Sequence, residues 1–149
     1  MNTRVLFLCA GVATLIVAWV VWFARDLIVY ASVNAPLVAP VDSVCLNSIL
    51  AQRFGRADAQ PIVRSGTKTR PAVRWLYYGG AIFRQTYSDS GFATLGAARP
   101  IDTGLVAALL PSRAVLDSVG RQLGAEVLAA RDGCGGRARP DLPELTIGR

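Results

Sequence analysis

Histidine is absent from this 149-residue chain, and lysine occurs once, at Lys68. The first absence removes the side chain best suited to acid–base work near neutral pH, which is also the commonest metal ligand. The three cysteines, Cys9, Cys45 and Cys134, form no C-x-x-C pair, so neither a zinc site nor a thioredoxin-like redox pair is expected. The ten acidic residues are dispersed. Asp42, Asp89 and Asp102 stand where caps and turns use them, and no two carboxylates make a catalytic pair. Phosphate-cradling glycine patterns are missing too, since Gly133-Cys134-Gly135-Gly136 leads into a tail and not into a helix. Despite a net charge of +6 there is no basic run, because the fifteen arginines are scattered singly. A nucleic-acid groove needs clustered charge and a fold signature, so no nucleic-acid partner is expected. The preference for arginine over lysine is the compositional mark of a GC-rich bacterial genome. Together these absences predict a non-catalytic chain with no cofactor and no metal.

What the sequence does have is one long apolar run. Val5 to Ala24 reads VLFLCAGVATLIVAWVVWFA, without a charge. At 1.5 Å per residue a helix of this length matches a hydrocarbon core of about 30 Å, which predicts a transmembrane helix over residues 5–24. Trp19, Trp22, Phe23 and Tyr30 gather toward its far end, where amphipathic rings favour the headgroup level. A cleaved signal peptide is the competing reading, because Val33-Asn34-Ala35 has the small residues of a processing site. Its apolar stretch would be only about 7 to 15 residues long, so an uncleaved anchor is expected. Leu6-Phe7-Leu8-Cys9 resembles the end of a lipid-attachment site, but no hydrophobic region fits ahead of Cys9, which reads as apolar filler. Ala10, Thr14 and Ala18 put small residues on one stripe, a pattern that lets two membrane helices pair, as a homodimer or with another membrane protein.

Orientation follows from charge and cysteine. Arg4 and the terminal amine precede the run, Arg25 follows it, and the next basic residue is Arg53, which favours an inside N-terminus. Cys45 and Cys134 flank the rest of the chain, and one disulfide between them is the economical reading. Such a bond persists only outside the cytoplasm. Two buried free thiols are the alternative. The expected location is the bacterial inner membrane, with the lipid bilayer as a partner, a cytoplasmic N-terminus, and a C-terminal domain on the periplasmic or extracellular side.

The expected organisation is an anchor over residues 1–33, a Pro-containing linker over 34–41 with Pro36 and Pro40, a domain over 42–134 and a loose tail over 135–149. Helix is predicted to continue through Asp26 to Tyr30. Asp42 or Ser43 caps a helix carrying Leu46, Ile49, Leu50 and Phe54, ended by Gly55. Val73 to Tyr78 and Ile82 to Tyr87 read as strands joined by Gly79-Gly80, a two-residue hairpin signal. Asp89-Ser90-Gly91 turns the chain into a third strand from Phe92 to Leu95. Leu105 to Leu110 is a short helix, and Ser112 opens another with Val115, Leu116, Val119 and Leu123 on one stripe, ending at Gly124. Glu126 to Arg131 reads as a fourth strand. The fold class is therefore α+β: the transmembrane helix, then an antiparallel sheet of three to four strands with two to three helices on one face.

Leu50 to Phe54-Gly55, the Trp75-x-Tyr77 strand, Phe83 and Asp89-x-Gly91 together resemble the small envelope domain of the SmpA/OmlA type, known as BamE-like. That family is usually a lipoprotein with two helices ahead of its sheet, whereas here the lipid-attachment site is missing and a helix follows the sheet. The resemblance implies a binding or assembly accessory of the envelope.

Two sets of residues stand out as candidate sites. Ser65-Gly66-Thr67-Lys68 matches S-x-x-K, in which lysine takes the proton of a nucleophilic serine, and gives the alternative function of an envelope hydrolase. A working motif of this kind starts a helix, and here it lies in a polar loop. The other set is aromatic. Trp75, Tyr77, Tyr78, Phe83, Tyr87 and Phe92 crowd one region, and most must be core. Those left over form an aromatic ledge, with Arg74 and Arg84 beside it, for a glycan or a partner's peptide. In a two-residue hairpin Trp75 and Arg84 fall opposite each other, so Trp75, Arg84, Arg74 and Tyr77 are the expected partner-binding residues.

Overall fold

The computed structural model describes the backbone of residues 3–148 and the side chains of residues 10–104 and 106–148. In chain order the elements are α1 (Thr3–Ala24), β1 (Ile28–Leu37), α2 (Ser43–Phe54), β2 (Ala59–Arg64), β3 (Ala72–Tyr78), β4 (Ala81–Tyr87), β5 (Ala93–Thr103), α3 (Leu105–Leu109), α4 (Arg113–Gly133) and β6 (Thr146–Gly148). They group into two compact units. One comprises the chain up to Val29 with Asp102–Ser112, and the other Tyr30–Ile101 with Arg113–Arg149.

In the first unit α1 carries apolar side chains on every side, and Leu15, Ile16, Val17, Trp19, Val21, Trp22 and Phe23 are all exposed. Trp19 stacks on Phe23, and the Arg25 guanidinium lies 5.2 Å from the Trp22 ring centre. The N–H of Gly104 donates to Leu27 O at 2.8 Å and ties the exit of α1 to the start of α3. Val106, Leu109 and Leu110 are exposed as well. The expected transmembrane helix is corrected here, since among the described residues no helix is long and apolar enough to cross a membrane. Cys9 and Arg4 lie outside the described side chains.

The second unit is built on a six-stranded sheet of order β2-β3-β4-β5-β1-β6, two strands more than the upper expectation. Neighbours pair antiparallel from β2 through β5, as do β1 and β6. The β3–β4 hairpin forms as predicted: Gly79 and Gly80 have φ of 58° and 71°, the left-handed pair that a two-residue turn requires. Trp75 then pairs with Arg84, Leu76 with Phe83 and Tyr77 with Ile82. Because side chains alternate across a strand, that register sends Leu76 and Phe83 to one face and Trp75 and Arg84 to the other.

Both long helices of this unit cover the Leu76 face. Asp42 caps α2 by accepting the Cys45 N–H at 2.8 Å, and Gly55, at φ 80°, closes it. The ring of Phe54 packs on Phe83, and the Tyr78 hydroxyl reaches Asn47. Leu46, Leu50, Leu76, Phe83, Leu95, Val33, Leu37, Leu123 and Val127 are at most 1% exposed and form the core. Each such burial stabilises by roughly 1.5 to 3 kcal/mol before entropy is counted. Helices α2 and α4 run antiparallel, held by the Cys45–Cys134 disulfide, Ile49 against Gly133 and an Arg53–Glu126 ion pair. The disulfide is the one predicted, and its Cα atoms stand 5.8 Å apart.

Four sequence expectations are corrected in this region. Residues 26–30 do not extend the helix and 34–41 are not simply a linker, because β1 occupies 28–37 with Ala31, Val33, Ala35 and Leu37 buried in turn. Pro36 is tolerated because β6 pairs with β1 only from Ser32 to Asn34. Beyond that stretch the Pro36 carbonyl accepts from Arg139 N, a bond that needs no donor from proline. The tail is not loose: Val38 N donates to Arg137 O, and Leu145 and Ile147 lie over Gly124 and Gly120 of α4. Finally, Glu126 to Arg131 is helix and not strand, since α4 continues through Gly124 to Gly133.

Candidate functional site

With α2 and α4 on one face of the sheet, the opposite face of the second unit carries no helix of that unit. Its side chains follow from register. Trp75 stands between Ile62 of β2 and Arg84 of β4, and Arg84 pairs in turn with Gly96 of β5. Tyr77, Ile82 and Ala98 form the next row, and Val73, Thr86 and Thr94 the row on the other side. Tyr30, Ser32 and Asn34 enter from β1, alternating with its buried residues.

Two shallow depressions cross this face and share Asn34, Trp75 and Arg84. One, of about 410 Å³, is lined by Tyr30, Ser32, Tyr77, Ile82, Gly96 and Ala98 besides the shared residues. The other, of about 380 Å³, adds Arg64, Val73, Thr86, Phe92 and Thr94. Small residues on β5 and β1 make the floor of the first, and tall ones on β3 and β4 make its bank. The Arg84 Nη2 donates to Asn34 Oδ1 at 3.2 Å. Gly96 makes that bond possible, because a Cβ there would collide with Asn34 Oδ1 and with the Val33 carbonyl. The Arg64 guanidinium lies 5.5 Å from the Trp75 ring centre, a cation–π contact worth about 0.5 to 1 kcal/mol when exposed. Among the described residues no carboxylate lines either depression, and none lies within ion-pair distance of Arg64 or Arg84.

The structure therefore brings Trp75, Tyr77 and Arg84 together, as predicted. It separates Arg74, which pairs with Gln85 and alternates onto the helix-covered face with Leu76. Ser65 and Lys68 are not assembled either. Thr67 and Arg70 close a tight turn, with Thr67 N donating to Arg70 O at 2.7 Å, and both Ser65 and Lys68 are exposed. They line different depressions, and the helical turn that would join a serine to its lysine is not there. Among the described residues no three His, Cys, Asp or Glu side chains gather as metal ligands. In α1 the Thr14 hydroxyl donates to Ala10 O, so that member of the small-residue stripe is bonded to its own helix.

Sequence reasoning missed Arg64, Asn34, Gly96 and Tyr30. Val33-Asn34-Ala35, whose small residues resemble a processing site, lies inside β1, with Asn34 facing away from the buried Val33 and Ala35. Arg64 ends β2, next to the polar loop of Ser65 to Lys68, and neither aromatic neighbours nor alternation mark it in the sequence. Comparison with protein-family models, with curated proteins and with solved structures finds no match for the chain.

Proposed function

We propose that this chain is a non-catalytic binding or assembly module of the bacterial envelope, working outside the cytoplasm at the inner membrane and engaging a partner through the face of its sheet opposite α2 and α4. The observation that carries the reading is that face: Trp75 paired with Arg84 across neighbouring strands, Tyr77 and Tyr30 beside them, and, among the described residues, no acid to neutralise the arginines. Aromatic residues and arginine are the composition of interface cores, while lysine and acids are depleted there. Two further features support the location. A disulfide persists in oxidising compartments. The apolar side chains of α1 and of Val106, Leu109 and Leu110 are more than a protein leaves in water, and they favour association with a membrane. A binding or assembly role is also what the resemblance to SmpA/OmlA-type domains implies.

The test is site-specific photocrosslinking in cells. A photoreactive residue at Tyr77 is expected to give a discrete adduct that Arg84→Ala removes without lowering the melting temperature. The same residue at Val44, exposed on α2, is expected to give none. Equal adducts from both positions would sink the binding face. Alkylation of Cys45 and Cys134 in intact cells without prior reduction would sink the location.

A further inference from the structure

The open face offers more than area, because its charge has one sign. Arg64 and Arg84 line one depression with the hydroxyls of Thr86 and Thr94, and among the described residues no acid answers them. On the other side of Trp75 the lining is aromatic and apolar, from Tyr30, Tyr77, Ile82 and Ala98. Resting on the binding role proposed above, we infer that this groove receives an acidic peptide segment of the partner. A carboxylate side chain lies at Arg84 and Arg64, and a neighbouring aromatic or aliphatic residue lies in the trough beside Trp75 and Tyr77. Charge complementarity carries the choice, since the planar guanidinium fork matches a carboxylate, and Arg64 and Arg84 are both exposed with no carboxylate partner among the described residues. The openness of both depressions suits an extended chain, whereas small-molecule sites enclose most of their ligand.

Asn34 is the positioning residue. Its Oδ1 accepts one Arg84 donor and leaves the others free, and Gly96 supplies the space for it. The neutrality of Asn34 matters as much as its shape. An aspartate of the same size would pair with Arg84 internally and cancel the charge that draws the ligand. Asn34→Asp is therefore a nearly isosteric substitution that closes the site by electrostatics alone.

The experiment uses the full oxidised chain in detergent micelles and fluorescence anisotropy with labelled peptides. One peptide alternates Glu with Phe, and its counterpart replaces each Glu by Gln. The Glu peptide is expected to bind at least about tenfold tighter, with affinity falling as salt rises from about 50 to 200 mM. Asn34→Asp and Arg84→Gln are each expected to weaken it about tenfold, whereas Arg74→Gln, on the covered face, leaves it unchanged. Thermal melts report whether each variant is folded, and the two substitutions test the site independently. Equal binding of the two peptides, or indifference to both substitutions, overturns the acidic-peptide assignment. Loss of binding in Trp75→Ala would then leave the binding face standing, and indifference to that change as well would remove both. Competition by inorganic phosphate or by phosphatidylglycerol vesicles at the peptide's own potency would also overturn it, in favour of a free anion or a lipid headgroup.

Discussion

Replacing both Cys45 and Cys134 with alanine removes the bond that ties the first turn of α2 to the end of α4 across 89 positions. Closing a loop of that length lowers the entropy of the unfolded chain by about 15 cal/mol/K in the chain-entropy account, or about 4.6 kcal/mol at 25 °C. The folded side of the balance changes little, because Ile49 against Gly133 and the Arg53–Glu126 pair hold the same two helices together without the bond. The sheet unit holds about 110 residues and unfolds with an entropy near 0.23 kcal/mol/K, so its melting temperature should fall by about 20 °C. Circular dichroism melts of the oxidised protein, the reduced protein and the double variant are the assay. The reduced protein and the double variant should melt together, well below the oxidised form. Urea titration should give a steeper slope for both, since an unfolded chain without its crosslink exposes more surface. A drop below about 4 °C would mean a contribution under about 1 kcal/mol and would refute the entropic argument.

Gly79→Ala and Gly80→Ala should each cost about 1 to 2 kcal/mol in urea unfolding, for a left-handed alanine. Gly79→Ala should cost more, because its new methyl would also displace the Phe54 ring from its packing on Phe83. Gln85 is 2% exposed and its Nε2 donates to Val41 O at 2.8 Å. Gln85→Ala should therefore cost about 1 to 3 kcal/mol by the same measurement, through the unpaired buried carbonyl. Arg131, also buried, binds Asp132 and Glu144. Arg131→Met should cost about 1 to 3 kcal/mol, whereas Glu144→Gln, at an exposed carboxylate, should cost about 1 kcal/mol or less. The hydrogen bond to Asp132 raises the Arg131 guanidinium further above its ordinary range, against opposing burial. A base raised on folding contributes fully below its unfolded value and loses that contribution only as pH rises through its folded one. The Arg131→Met difference should thus be the same at about pH 6 and about pH 9.

Local chemistry was legible in the sequence where it acts alone. Asp42 and Gly55 bounded α2, Gly79-Gly80 set the hairpin, and the hairpin placed Trp75 opposite Arg84. What was not legible depends on partners far along the chain. Strand β1 mixes Ile28, Val29, Tyr30 and Val33 with Ala, Ser, Asn and a proline directly after the long apolar run, and the strands that flank it, β5 and β6, lie far along the chain. Strand β2 is exposed at every residue and contains Pro61, so it shows no alternation. Gly120, Gly124 and Gly133 look like stop signals, yet α4 runs through the first two to the third. Each of the three lies beneath a side chain, Ile147, Leu145 and Ile49, that a larger residue would displace. Half of the candidate site shares this fate. Trp75, Tyr77 and Arg84 come from the hairpin and were foreseen, while Asn34 and Gly96 meet only through the β1–β5 neighbourhood. Arg74 was misplaced because adjacency in sequence was read as adjacency on a face.

The position of β1 in the strand order also sets a schedule for folding. It emerges well before its flanking strands, with β5 ending 66 residues after β1 and β6 ending 111 after it. At about 5 to 20 residues per second, β1 waits roughly 3 to 13 s for its first neighbour and 6 to 22 s for its second. Throughout that interval both hydrogen-bonding edges and the Ala31, Val33, Ala35, Leu37 side chains lack their final cover, a template for wrong pairing. Closure of the local β2–β5 meander ahead of β1 docking gives that strand a formed edge to join.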